Sequence, residues 1–240
     1  MMAIAGRHRF GFLTLVLVVV LLAAPGCYLF RSSETFYGLR APDGHVVFVI
    51  DVSGSMEGKN EGTLEDRAVG MAAQTGSRAV GGVIGGRLGA VVGQQASSEV
   101  TKLGGAKREL IPALQGLPAS SFFSIITFGK DSGPWFRGMV PATDENKNLA
   151  LVFVKQLSAD GGTPARKALQ QAFAYPDATA IFFLSDGQPT DSGPEAIVAE
   201  VRGLNAQRRL AISTIGLGGD QNERFLGALA SENGGRYVRK

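Results

Sequence analysis

Three short stretches of this chain carry oxygen donors at spacings that suit a hard cation. The first, His45–Met56, reads HVVFVIDVSGSM. Asp51, Ser53 and Ser55 stand at alternate positions directly after an unbroken apolar run, and Gly54 permits a sharp turn between the serines. The second, Gly161-Gly162-Thr163-Pro164, offers the Thr163 hydroxyl at a helix start, with Pro164 expected at the first helical position. The third, Leu184-Ser185-Asp186-Gly187, offers a carboxylate at the end of another apolar run, Ala180–Leu184. Hydroxyls and carboxylates are hard ligands, suited to Mg²⁺ rather than zinc. The same hydroxyls could instead serve only to cap turns and helices. That alternative leaves two carboxylates terminating continuous hydrophobic strands, where a lone buried charge is costly. A cation between them removes the cost.

The elements that must position these groups are legible in the apolar patterning. Val46–Ile50 is β-branched and aromatic throughout, as expected of a strand buried on both faces of a parallel sheet. Ligands in open α/β sheets gather at the carboxyl ends of such strands. Downstream, strands are expected at Phe122–Phe128, at Trp135–Val140 as an antiparallel edge after the turn Gly129–Pro134, at Ala180–Leu184, at Leu210–Ile215 and at Arg236–Val238. Helices are expected at Ser98–Gly116 and at Thr143–Leu157 with Thr143 as cap. A third, Pro164–Ala174, has Ala165, Ala168, Leu169, Ala172 and Phe173 on one face. A capping box, Ser192…Glu195, is expected to open a helix reaching Asn205, and Asp220…Glu223 to cap a last helix ending at Gly234-Gly235. Strands alternating with helices predict an α/β fold, a doubly wound, mostly parallel, Rossmann-like sheet flanked by helices.

The DxSxS…T…D order, with GGTP and SDGQPTD each at a strand or helix end, resembles the von Willebrand factor A (VWA) domain and its metal-ion-dependent adhesion site. The resemblance covers Val46 to Val238 and matches all the ligand positions. It implies that Ser53, Ser55 and Thr163 supply oxygens to Mg²⁺, with Asp51 and Asp186 acting directly or through water. Ligand type does not separate Mg²⁺ from Mn²⁺ or Ca²⁺. It also implies a protein partner that presents an aspartate or glutamate to the cation. Asp160 and Asp191 flank the site loops, either as tuning groups behind the ligands or as solvated turn residues.

One departure from the family pattern stands out. The helix after the DxSxS loop normally follows within a few residues, whereas here the equivalent helix, with Leu103, Leu110, Leu114 and Leu117 at helical spacing, comes much later. Residues 57–97 therefore read as an insertion within a domain spanning 45–240. Gly81, Gly85, Gly89 and Gly93 recur every four residues inside it. This resembles a glycine zipper, whose flat stripe lets helices approach closely. A Gly-rich loop is the competing reading, because each glycine costs about 1 kcal/mol of helix propensity.

The N-terminus predicts a membrane tether. Arg7 and Arg9 precede residues 10–30, which carry no charge and are about long enough to cross a bilayer as a helix. Positive charge before the run places the following domain on the outer side of the cytoplasmic membrane. Residues 1–30 fit either an uncleaved signal anchor or a lipoprotein signal with Cys27 lipidated, and residues 31–44 then read as a polar linker. Cys27 is the only cysteine, so no intramolecular disulfide forms. A formal charge of +3 with scattered basic residues gives no nucleic-acid signature. Catalysis is disfavoured: the domain's one histidine, His45, begins the strand whose far end holds the site, and Arg87-Leu88 stand where a P-loop requires Lys and Ser/Thr. The expected function is cation-dependent protein binding at a membrane. Homo-oligomeric scaffolding through the Gly-rich segment is the alternative, and metal-dependent hydrolysis a weaker one.

Overall fold

The computed structural model describes residues 35–40, 44–58 and 101–240, all within one unit, Ser33–Lys240. The apolar run 10–30, Cys27 and the glycines Gly81, Gly85, Gly89 and Gly93 lie outside the described residues, as does the insertion beyond Gly58. Among the described residues no helix is long and apolar enough to cross a membrane.

Thr35–Phe36 (β1) and Leu39–Arg40 (β2) pair antiparallel around Tyr37 and Gly38, both at positive φ. His45–Asp51 (β3) follows, and a 3₁₀ turn, Gly54–Glu57, closes the serine loop. Then come Lys102–Gln115 (α1), Phe122–Phe128 (β4), Gly133–Pro134 (β5), Val140–Pro141 (β6), Asp144–Gln156 (α2), Ala165–Phe173 (α3) and Ala180–Ser185 (β7). Pro194–Asn205 (α4), Ala211–Gly216 (β8), Glu223–Ser231 (α5) and Tyr237–Arg239 (β9) complete the order. The main sheet runs β5-β4-β3-β7-β8-β9, with β6 also paired to β4. Strands β4, β3, β7, β8 and β9 are parallel, while β5 and β6 are antiparallel to β4.

The doubly wound reading holds, and the pleat explains why. Successive side chains of β3 point to opposite faces, and both faces are apolar. Val46, Phe48 and Ile50 pack with Leu103, Leu110 and Leu114 of α1 and Ala150 and Val154 of α2. Val47 and Val49 pack with Ala165, Ala168 and Leu169 of α3 and with residues of α4 and α5. The chain leaves β3 for β4 on one side, while β7 on the other side leads away to β8 and β9. The reversal of direction opens a crevice at the carboxyl ends of β3 and β7.

Several expected boundaries are corrected. Helix α1 begins at Lys102, because Thr101 is extended and its hydroxyl accepts the Gly104 N–H as N-cap; residues 98–100 of the expected helix lie outside the described residues. The edge strand expected at Trp135–Val140 is two dipeptide bridges, split because the chain between them turns away after the Trp135 N–H bonds Ile125 O. Pro164 caps α3 from outside at ψ 63° instead of being its first helical residue. The Ser192…Glu195 capping box does not form, since Pro194 stands at the first position and makes Gly193 the cap. Asn222, not Asp220, caps α5, accepting the Phe225 N–H.

The expected linker 31–44 is also corrected in part. The β1–β2 hairpin belongs to the domain: Phe36 is fully buried, its ring 5.6 Å from Phe48 and 5.9 Å from Phe182. Emptying such a site costs about 3–5 kcal/mol. Phe36→Ala should therefore lower the free energy of urea unfolding by about that much. An unchanged unfolding midpoint would return the hairpin to the status of a tether.

Candidate functional site

Asp51 is the last residue of β3 and is completely buried. Its carboxylate is held from two sides: Oδ1 accepts the Ser53 N–H at 2.8 Å, and Oδ2 accepts the Ser185 hydroxyl at 2.6 Å. Ser185 ends β7, the strand beside β3, so the neighbouring strand end supplies this support. Burial raises the Asp51 pKa to about 6; the bonds from Ser185 and Ser53 oppose the rise and the charge of Asp186 adds to it.

The hydroxyls form a directed chain. Ser55 Oγ donates to Asp186 Oδ1 at 2.8 Å, and Ser53 Oγ lies 3.0 Å from Ser55 Oγ. With its one proton committed to the carboxylate, Ser55 accepts from Ser53. Both hydroxyls thus have their protons assigned and lone pairs left over. Ser53 and Asp186 are buried, whereas Ser55 is exposed at the mouth of the site.

The Thr163 loop joins by backbone bonds. The Gly54 N–H donates to Gly161 O at 3.0 Å, tying the serine loop to the glycine pair. Gly161 is required there twice over: its φ is +81°, and a Cβ would come within 2.5 Å of the Lys130 nitrogen. Thr163 is buried and exchanges two bonds with Thr190: its N–H donates to Thr190 Oγ1 and its carbonyl accepts the Thr190 N–H, both at 2.9 Å. The stretch after Asp186 therefore fixes the stretch that carries Thr163.

Asp51, Ser53, Ser55, Thr163 and Asp186 are accordingly on three segments bonded directly to one another. The two flanking acids are not behind the ligands. Asp160 is exposed, and its carboxylate pairs with Lys130 at 3.1 Å, which lowers its pKa. Its backbone contributes more, donating to Val52 O and accepting from Lys130 N–H. Asp191 caps α3, accepting the Arg166 and Lys167 N–H groups at 3.1 and 2.9 Å. It steadies the helix that follows Thr163, a role favoured by the helix dipole.

One group at the site had no signal in the sequence. Lys102, the first residue of α1, reaches Asp186 Oδ2 at 2.9 Å and Asp220 Oδ1 at 2.8 Å. Its side chain is 7% exposed. Burial alone would depress the ammonium pKa; the bonds to Asp220 and Asp186 outweigh it and raise the pKa overall. The Lys102 N–H also donates to Gly58 O at 2.9 Å, so the chain leaves the serine loop and returns to α1 at one point. Ser185 and Thr190 were likewise missed, although both stand within the SDGQPTD string.

Chemically, two buried carboxylates and a set of hydroxyls make an all-oxygen donor set. Among the described residues no three His, Cys, Asp or Glu side chains cluster as a metal site. The set fits a hard divalent cation held largely by neutral oxygens and does not offer the nitrogen and sulfur ligands of a structural zinc site.

An open, mostly parallel sheet with a DxSxS loop where the strand order reverses, joined by a threonine loop and a following aspartate, defines an A-type domain. The family model described as von Willebrand factor type A domain matches residues 44–72 and 92–239, and the chain belongs to that family. The unmatched interval between those ranges falls inside the expected insertion. Human von Willebrand factor A domain-containing protein 3A is 32% identical over 117 residues, covering 48% of this chain and 10% of that protein. The chain thus spans about a tenth of that relative. A von Willebrand factor type A structure from Catenulispora acidiphila matches with a TM-score of 0.59 at 18% identity, over 84% of this chain and 39% of that one. Proximal thread matrix protein 1 from the mussel byssus, with a zinc-occupied MIDAS motif, matches with a TM-score of 0.51 at 15% identity, over 83% of this chain and 42% of that one.

The raised Asp51 pKa gives a pH signature. In the unfolded chain this carboxyl titrates near 3.8, in the cation-free fold near 6. The folded state then carries an unfavourable charge above pH 6, at a cost on the order of 3 kcal/mol. That cost is relieved as pH falls from 6 towards 4. Asp51→Asn should remove this component, so chemical denaturation in EDTA should show parent and variant converging in stability near pH 4 and the variant gaining above pH 6. A constant difference across that range would contradict the burial assignment.

Proposed function

We propose that this chain is a membrane-tethered VWA domain that binds a protein partner through a divalent cation held by Asp51, Ser53, Ser55, Thr163 and Asp186. The observation that supports the reading is that the three segments carrying these residues, far apart in sequence, are hydrogen-bonded to one another beside two fully buried carboxylates. Mg²⁺ is the first choice for an all-oxygen set, with Mn²⁺ or Ca²⁺ compatible. The bound cation would supply an electrophilic position open to an aspartate or glutamate of the partner. Ser53 and Ser55 would hold it with lone pairs, because their protons are committed elsewhere. The exposed Ser55 marks the side from which a partner approaches.

Binding rather than turnover is the reading supported by the surroundings. His45 lies at the opposite end of β3 from Asp51, its ring stacked on Phe122 at 4.8 Å. The tether rests on the sequence: Arg7 and Arg9 before the uncharged run 10–30 support an orientation with the domain on the outer side of the cytoplasmic membrane. Cys27 is the lipidation position if that run is a lipoprotein signal.

Ser53→Ala and Thr163→Ala are the cleanest tests, since neither strands a buried charge. A cation at 100 times its Kd stabilises by about 2.7 kcal/mol, roughly 5–10 °C in Tm for a domain of this size. Thermal melts should show that rise with Mg²⁺ in the parent and little of it in either variant. Equal rises in all of them would refute the site. Affinity capture from native membranes should likewise lose its bound protein in EDTA.

A further inference from the structure

Lys102 enters no part of the cation-binding reading, yet its ammonium is bonded directly to one of the site's two buried carboxylates. Its two bonds reach opposite surroundings: Asp186 is completely buried, while the side chain of Asp220 is 70% exposed. On the Asp186 carboxylate the two oxygens are divided between different partners. Oδ1 accepts the Ser55 hydroxyl and Oδ2 accepts Lys102 Nζ. The ammonium is thus separated from a ligand hydroxyl by a single carboxylate. It neutralises one of the two buried negative charges that would attract a cation.

We infer that Lys102 is a resident counter-ion of the site: it holds Asp186 in place when no cation is bound and, by its positive charge, weakens the site's affinity for a divalent cation. The inference rests on the metal-site reading above. Its physical basis is that like charges a few ångströms apart in a partly water-excluded site repel strongly, and that a buried carboxylate without any partner is unstable. A lysine tied to both Asp186 and Asp220 meets the second need at the expense of cation affinity. Asp220, on the solvent side, offsets part of the ammonium's charge and fixes where it stands.

The electrostatic role and a purely bracing role predict opposite signs. If Lys102 only braces Asp186, its loss loosens the ligands and cation affinity falls. As a counter-ion, its loss raises the affinity. Mn²⁺ titrations of the full chain, followed by the EPR signal of free Mn²⁺, separate the two. Lys102→Met should bind Mn²⁺ about tenfold more tightly or better, and Lys102→Arg, which keeps the charge, should bind like the parent. Asp220→Asn, which leaves the ammonium uncompensated on its outer side, should bind severalfold more weakly. Thermal melts give a second readout: Lys102→Met should melt below the parent in EDTA and recover with Mn²⁺. A folded Lys102→Met protein with parental or weaker Mn²⁺ affinity would overturn the inference. Should that variant not fold, parental or tighter binding by Asp220→Asn would overturn it equally. Ser53→Ala keeps the two claims apart: parental Mn²⁺ binding in that control would overturn the metal site itself, and the counter-ion role with it.

Discussion

Two carboxylates with no access to water stand side by side at the ends of adjacent parallel strands, and the surrounding structure is arranged to make that tolerable. Asp51 is steadied by a backbone N–H from its own loop and a hydroxyl from the neighbouring strand. Asp186 is steadied by a hydroxyl from the serine loop and an ammonium from the first helix. Hydrogen bonds and an ion pair can offset the desolvation of such groups, but only with good geometry at every partner. The sharp serine turn, the glycine contact and the reciprocal threonine bonds follow from this requirement.

The parallel sheet makes the arrangement possible. Register places Asp51 one step beyond the paired run of β3 against β7, so Ser185 reaches it sideways. The reversal of strand order between β3 and β7, with β4 added on one side and β8 and β9 on the other, leaves room above their ends for loops from both sides. Backbone bonds between Gly54 and Gly161, and between Thr163 and Thr190, then weld those loops into a single rim. Positioning of this kind costs less side-chain entropy than long flexible ligands would.

Much of this was legible from residue types because the strands are unbroken apolar runs and the ligands follow them directly. The central strands were read to within a residue or two, as the continuous Val46–Ile50 and Ala180–Leu184 runs admit no other face pattern. Helix starts were read less well. Ser192…Glu195 and Asp220…Glu223 both satisfy a capping spacing, yet Pro194 moved one cap to Gly193, and the other helix starts at Glu223 with Asn222 as its cap. Phe36 was hidden in a polar stretch, and only the tertiary pocket formed by Phe48 and Phe182 reveals its role. Lys102 was invisible for a deeper reason. A lysine at a helix start normally reads as a solvated residue, and nothing local signals that two distant aspartates converge on it.

The central claim is that oxygens from three segments share one divalent cation. Anomalous diffraction from crystals of the full chain grown with Mn²⁺ tests it most directly. A single Mn²⁺ peak in direct contact with the hydroxyls of Ser53, Ser55 and Thr163, beside Asp51 and Asp186, is the predicted result. A map with those side chains as described and no Mn²⁺ among them at millimolar concentration would contradict the account.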